Sequence, residues 1–589
     1  MLSNQKITAS RRTYNKLVGN EMMEDFALRF TAKRARKWSY SRIAHTALGI
    51  VSFLVLEAIG GAITLNYGFV NAAWAILALV VIIFIIGLPV SYYAARYGVD
   101  IDLLSRGAGF GYIGSTIASL IYASFTFIFF ALEAAIMTMA LKLLFGIPLY
   151  LGYLISALVV LPLVTHGITY ISRFQIWTQP IWIVLQILPL VYVFNHDDSQ
   201  LSEWINFTGQ AGESGAHFNL LLFGAASAVL LSLVAQIGEQ VDILRFLPPK
   251  SSTLSNTKWW LAIAGGPGWI IFGAAKLFIG SYLAYFALQK GVPIELADDP
   301  AHMYKIAFGY VFESPGLSLT IAAVFVILCQ LKINVANAYA GSLAWSNFFS
   351  RVTHNHPGRV VWMVFNVLIA LLLMELGIYQ TIESMLQVYS VLVLAWLSSV
   401  VADLIINKPL GISPQHIEFK RANLYDINPV GTLSMLIASV AGFSAHMGWF
   451  GLAMQALGSY LAFLLPFITV PTIGILTKGK YYLVRPEQEN TTETTCHICE
   501  NTFDEEDMSY CPAYGKAICS LCCSLDVRCG DICREHATLA AQSQLFFSHF
   551  IKKEVLDTLT STVAQCIALT LTLSGISATI LVLIYWILN

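Results

Sequence analysis

Apolar residues in this chain run in long blocks rather than in alternation. Blocks with the length to cross a bilayer, roughly 20 residues each, fall near 44–68, 70–94, 112–141, 147–170, 174–195, 216–238, 259–288, 315–349, 359–377, 379–405, 427–446 and 449–477. A thirteenth lies at 558–589. This pattern predicts an all-α polytopic membrane protein. Loop charge predicts its orientation. Lys and Arg crowd the N-terminal segment (Arg11, Arg12, Lys16, Arg29, Lys33, Arg34, Arg36, Lys37) and alternate loops, whereas 196–218 has none. Residues 1–43 are therefore expected in the cytoplasm, 44–477 as a twelve-span domain, and 478–540 back in the cytoplasm. Residues 541–557 then link to the additional span at 558–589, which crosses once or turns back as a re-entrant hairpin around Ser574-Gly575. No short apolar core with a cleavage site marks a signal peptide.

Composition agrees. Of 589 residues, 57% are hydrophobic and 12% charged, against about 25% charged in a soluble protein. The net charge of -1 says nothing about nucleic acid, and with no basic patch with interleaved aromatics no nucleic-acid partner is expected. The lipid bilayer is the expected surrounding.

Charge inside the apolar blocks is where function is sought. Glu57, Glu133 and Lys332 stand in three of them. An ionisable group at a membrane helix centre costs roughly 2.5–3.5 kcal/mol on insertion scales and persists where it lines a polar cavity or finds a partner. Gly60 and Gly61 follow Glu57, and Gln236, Gly238, Glu239, Gln240 and Asp242 close the sixth block. These polar interruptions occupy corresponding positions in the two halves. They predict helix breaks at Gly60-Gly61 and Gly238 and a site at the midplane; the alternative is that Glu239 and Asp242 simply mark the cytoplasmic end of the sixth span.

The chemistry of residues 496–533 is different. Cys496, Cys499, Cys511, Cys519, Cys522, Cys523, Cys529 and Cys533 crowd into about forty residues, with His497 and His536 as spare ligands. Two CxxC pairs and a CxxxC are the knuckles of zinc sites. Eight thiolates suffice for two structural Zn2+ ions, and a reducing cytosol disfavours the disulfide alternative. The layout resembles a small treble-clef or cross-brace finger. Its role is a structural staple for a domain too small to bury a core, or a regulatory or redox-sensing one.

Three segments, in order, resemble the nucleobase–cation symporter family of purine, cytosine and hydantoin permeases. They are SYYAARYGVDIDLLSRGAGFGYIGS before the third span, the first span running into Trp74, and KINVANAYAGSLAWSNFFSRV in the eighth; the resemblance reaches from about residue 22 to 478. It implies the five-plus-five inverted-repeat fold of sodium-coupled symporters, alternating-access transport of a small planar nitrogen heterocycle, and a bacterial inner membrane. Counted from Trp74, a substrate-touching position of the first span falls on Glu57. A stacking aromatic falls on Phe129, a hydrogen-bonding position one turn later on Glu133, a span-8 asparagine on Asn337, and a span-6 aromatic position near Gln236. Both family glutamines are glutamates here. The span-8 hydroxyl that helps hold sodium falls on Lys332, which suggests a built-in cation or proton carrier in place of Na+. The alternative is a buried Lys332–glutamate pair that only locks helices together. A permease core followed by a cysteine module and an extra span also resembles the transporter-type input half of some sensor histidine kinases, so a ligand sensor with a cytoplasmic signalling partner is the competing reading. No nucleophile–base constellation points to an enzyme.

Overall fold

The computed structural model describes residues 9–196, 200–250, 256–377, 382–484 and 494–529. The linker at 541–557, the thirteenth block at 558–589, Cys533 and His536 lie outside the described residues.

Every one of the twelve predicted blocks is helical. The first is a bent pair, α1 (Tyr40–Ile50) and α2 (Val55–Tyr67), which meet at 46°. Then come α3 (Phe69–Tyr97), α4 (Ser115–Phe145), the shorter α5 (Leu149–Thr165) and α6 (Gly167–His196). The sixth block divides into α7 (Leu220–Leu231), a 3-10 stretch over Ser232–Gln236, and α8 (Ile237–Leu244). The chain continues through α9 (Asn256–Gln289), α10 (Pro300–Gly309), α11 (Pro315–Thr353), α12 (Arg359–Glu375), α13 (Ile382–Ala402), α14 (Pro429–His446) and α15 (Gly458–Leu476).

The outer surface is built for lipid. Trp74, Leu77, Val81, Ile85 and Leu88 of α3 are exposed at helical spacing, as are Trp177, Ile181, Val184, Ile187 and Val191 of α6. Such a face is stable only where the solvent is itself apolar. α4 and α11 share the most extensive helix contact and run through the interior, and α2 lies along α9.

The predicted break at Gly60-Gly61 is not where the first span opens. α2 runs unbroken through both glycines, and the bend lies at residues 51–54. The glycines serve packing instead. A Cβ on Gly60 would lie 2.0 Å from the Leu277 carbonyl oxygen, one on Gly61 2.8 Å from the Ala284 Cβ, and one on Gly280 2.1 Å from the Glu57 carbonyl oxygen. Small residues let α2 and α9 approach backbone to backbone, a common membrane-helix interface. Gly238 likewise sits inside α8, where a Cβ would lie 2.4 Å from the Tyr122 ring. The irregular stretch of that span precedes it.

One face of the bundle carries the cysteine module. There an antiparallel hairpin, β1 (Met508–Cys511) and β2 (Lys516–Cys519), pairs Met508 with Cys519 and leads into α16 (Ser520–Leu525). Residues 9–39 form a mostly irregular strap between this module and the bundle. The N-terminal segment and the module thus share a face.

Candidate functional site

Glu57 lies in the first turn of α2, directly after the bend, and is fully buried. Its Oε1 is 2.6 Å from Nζ of Lys276 on α9. The same ammonium donates to the Ser52 carbonyl oxygen at the bend and to Gln186 Oε1 of α6, both at 3.3 Å. Gln186 Nε2 donates to the Tyr304 hydroxyl at 2.5 Å, and that hydroxyl donates to Glu57 Oε1 at 3.3 Å. Four helices and the bend meet in this cluster.

Glu133 of α4 completes it. Neither carboxyl oxygen has a hydrogen-bond partner, and both are buried. The groups it faces are Gln330, Lys276, Glu57 and the Val55 amide at the start of α2. Gln330 Oε1 accepts the Leu54 N–H at 3.4 Å, while its Nε2 and the second oxygen of Glu57 are also unpartnered. An unsatisfied buried polar group costs about 1–3 kcal/mol. Glu133 faces the Gln330 amide and the Val55 N–H without closing a well-formed bond to either, so the carboxylates here are incompletely satisfied and have hydrogen bonds to gain.

Lys276 escaped the sequence reading, although it is the sole Lys, Arg, Asp or Glu in the 259–288 block. The criterion that singles out Glu57 singles it out as well. Its presence also corrects the expected Lys332–glutamate lock, because the lysine that pairs with a glutamate is Lys276. Lys332 Nζ instead meets three oxygens of α6: Thr178 Oγ1 at 2.9 Å, the Gln175 carbonyl at 3.1 Å and Gln179 Oε1 at 3.5 Å. Gln175 Nε2 returns a bond to the Lys332 carbonyl at 2.6 Å. An ammonium ringed by oxygens is held as a cation would be. The two lysines are not far apart, since Cys329 lies within the electrostatic reach of Lys276, Glu57, Lys332 and Glu133 alike.

The other expected residues take different places. Phe129 lies one turn before Glu133 on α4 and packs on Phe125 with ring centroids 4.5 Å apart. Asn337 of α11 donates to Asn334 Oδ1 at 3.4 Å and leaves its own oxygen unpartnered. Gln236 donates to Glu239 within its own turn. One turn on, Asp242 accepts the Tyr122 hydroxyl at 3.1 Å. Gln236 thus belongs to a second buried network, in which Arg245 donates to Tyr339 at 2.7 Å and Arg351 to Ser115 and Ser119 at 2.5 and 2.7 Å.

In the module, Cys496, Cys499, Cys519 and Cys522 bring their sulfurs within 4.8 Å of one another, all buried. The first CxxC sits before the hairpin; the second is the last residue of β2 and the first turn of α16. Backbone N–H groups of Cys519 and Cys522 donate to the sulfurs of Cys496 and Cys519, each at 3.3 Å. Such N–H···S bonds orient and support thiolate ligands. Of the eight expected ligands, these four form a metal-sized cluster among the described residues, and Cys533 lies outside the described residues. Cys511 is in β1, Cys523 follows Cys522 on α16, Cys529 Sγ donates to the Asp526 carbonyl at 3.4 Å, and His497 packs near Tyr514. The four can hold one tetrahedral metal ion.

The fold is that of the secondary transporters built from two inverted five-helix repeats, and the chain is an integral membrane protein. Two solved proteins show the likeness. Mhp1, a nucleobase-cation-symport-1 family transporter in a closed conformation with bromovinylhydantoin bound, superposes with a TM-score of 0.57 at 17% identity, over 77% of this chain and 98% of its own. A Na+-coupled sialic acid symporter in a substrate-bound outward-open state gives 0.51 at 14%, over 77% and 94%. No protein-family sequence model and no curated protein sequence matches the chain. The likeness is therefore one of fold.

Proposed function

We propose that this protein is a secondary transporter of the nucleobase–cation symporter kind, taking up a small planar nitrogen heterocycle in exchange for the energy of a proton gradient. The observation that carries this is the under-satisfied cluster at the bend between α1 and α2, where Glu57 Oε2 and both Glu133 oxygens accept nothing. Ring N–H and amino groups of a cytosine-, guanine- or hydantoin-like ligand are the complementary donors. Mhp1 with bromovinylhydantoin bound has this fold, which favours the same ligand class. Phe129 supplies an aromatic face beside Glu133, and Asn337 Oδ1 a further acceptor.

The coupling follows from the two lysines. Lys276 is a resident cation for Glu57, and Lys332, ringed by the oxygens of α6, stands where the family resemblance puts a sodium-ligating hydroxyl. The Glu133 carboxyl, which shares Lys276 with Glu57, carries the coupling proton. Substrate and proton together relieve the cluster of its unpaired oxygens and its excess negative charge, and the loaded site can then re-expose to the other side. Uptake of radiolabelled cytosine, guanine and hydantoin into proteoliposomes, with Na+ and pH gradients imposed separately, tests this. Uptake is expected to follow the pH gradient and ignore Na+; Na+-driven uptake overturns the coupling.

The module holds Zn2+ on the four thiols of Cys496, Cys499, Cys519 and Cys522. A borderline-soft ion with no geometric preference of its own suits four cysteines in a tetrahedron. Zinc released per chain on chelation distinguishes one ion from two. The basic N-terminal segment on this face supports a cytoplasmic orientation for it.

A further inference from the structure

The strap of residues 9–39 touches the metal site as well as the bundle. Tyr14 Oη lies 2.9 Å from Cys522 Sγ. A metal-bound thiolate carries no proton, so there the hydroxyl donates. The contact is anchored on both sides. Arg12 N–H donates to the Ile498 carbonyl at 2.8 Å, between Cys496 and Cys499, and the Arg12 guanidinium donates to the Leu525 carbonyl at the end of α16. Val18 and Leu28 are buried in the apolar core of the module, with Tyr14 packed against it. Charge complementarity runs along the rest. Arg29 stands 3.6 Å from Asp507 and over the Phe503 ring at 4.8 Å, Arg34 is 3.7 Å from Asp504, and Lys33 pairs with Glu506.

The opposite edge of the strap is bonded to the ends of the transport helices. The Met23 carbonyl accepts from Arg359 Nε of α12 at 2.8 Å, and the Ala27 carbonyl from Asn347 Nδ2 of α11 at 3.1 Å. Asp25 and Phe26, both at positive φ (52° and 58°), turn their carbonyls to Arg245 just after α8 at 3.1 and 3.3 Å. Thr31 N–H donates to the Gly98 carbonyl at the end of α3 at 2.6 Å. Non-glycine residues at positive φ are held there only by their surroundings, so these two positions are where a loosened strap would first give.

We propose that Tyr14 is an outer-shell partner of the metal centre, so that metal occupancy and docking of the strap across the ends of α3, α8, α11 and α12 are one linked equilibrium. This rests on the zinc reading of the module. The physical basis is reciprocity. A hydroxyl bonds a thiolate sulfur more strongly than a neutral thiol, and the metal holds Cys522 as the thiolate. What the strap adds to metal affinity, the metal adds to strap docking. Outer-shell partners of metal ligands are typically worth about 10–100-fold in metal affinity. Stripping the metal, or oxidising the thiols, would then release a strap that now ties four transport helices together on the module face.

The test uses the full chain in lipid nanodiscs with its zinc content measured. Tyr14→Phe, which keeps the packing and removes only the hydroxyl, is expected to release zinc to a chromogenic chelator about ten-fold faster than the parent. Hydrogen exchange is then followed in strap peptides covering residues 9–34, before and after zinc is stripped. Exchange at Arg12 and Thr31 is expected to rise on stripping, while the middle of α3 does not change. An unaltered zinc-release rate in Tyr14→Phe overturns the proposal, and so does unaltered strap exchange in protein shown to have lost its zinc. A chain that carries no zinc and takes up none overturns the metal reading itself, a result distinct from the other two. Lys33→Ala, at a solvent-exposed pair, controls for charge and is expected to leave zinc release unchanged.

Discussion

Two of the buried charge networks in the bundle differ in what they tie together. Near the module face, each arginine has several oxygen partners. Arg359 reaches the carbonyls of Met23, Val164 and Thr165 and the Ser342 hydroxyl, and Arg245 the carbonyls of Asp25 and Phe26 and the Tyr339 hydroxyl. At the bend of the first span, one lysine serves one of two glutamates and the other glutamate has no hydrogen-bonded partner. The module-face network also leaves atoms unpartnered, among them Arg245 Nε, Arg351 Nε, Asp242 Oδ1 and Glu239 Oε1, but its arginines cross-link helix ends through several bonds each. The bonds outstanding at the bend leave free energy to gain from a ligand. That difference is the basis for proposing transport at the bend and locking at the module face.

The sharpest way to break that contrast is Lys276→Met. It strands Glu57 as a buried charge, a change that costs about 3–5 kcal/mol where a buried pair loses one partner. Uptake is expected to vanish and thermal stability to fall steeply. Lys276→Met with Glu57→Gln is expected to recover the stability without the uptake, read by melting in detergent beside transport. If the double variant still transports, the pair only locks helices. On the module side, Cys496→Ser is expected to lose the metal, seen as absent zinc in the purified protein, while the bundle keeps its melting transition. Gly60→Ala tests the packing role of the glycines. A Cβ 2.0 Å from the Leu277 carbonyl must push α2 off α9, for about 1–3 kcal/mol. Lys332→Ser puts back the hydroxyl that the symporter family has there, and Na+-stimulated uptake by that variant would sharpen the resident-cation reading.

The smallest expected effect is at Asp507. Burial pushes its carboxyl up to about 6, against the pull of Arg29. A carboxyl raised in the folded state favours folding below its unfolded value of 3.8 and loses that contribution as pH climbs through about 6;. At pH 7.5 burial of the anion therefore opposes folding of the module, and Asp507→Asn is expected to raise its melting temperature slightly. A clear fall at that pH would mean that the Arg29 pair outweighs the burial.

How much of this the sequence carried depends on the kind of information. Spans are legible because a bilayer demands long apolar blocks, and each of the twelve blocks is helical. Glu57 and Glu133 are legible as charges in hydrocarbon. The pairing is not, because Lys276 lies 219 residues from Glu57 and only the packing of α2 on α9 joins them. The same packing explains the misplaced hinge. A glycine pair marks either a place where a helix can open or one where two helices can touch, and the sequence alone does not separate them. The bend at 51–54 has only Ser52 to signal it. In the module, the knuckles were readable from spacing, whereas the choice of the Cys519–Cys522 pair to face Cys496–Cys499 came from the hairpin. The docking of the strap on both had no motif at all.

The measurement that bears most directly on the unsatisfied cluster compares the parent chain with Glu133→Gln in proteoliposomes, using whichever of cytosine, guanine or hydantoin the parent takes up. If Glu133 carries the coupling proton, the variant still exchanges labelled for unlabelled substrate but no longer accumulates it under an inward pH gradient. Accumulation equal to the parent's would contradict that role and move the coupling elsewhere in the protein.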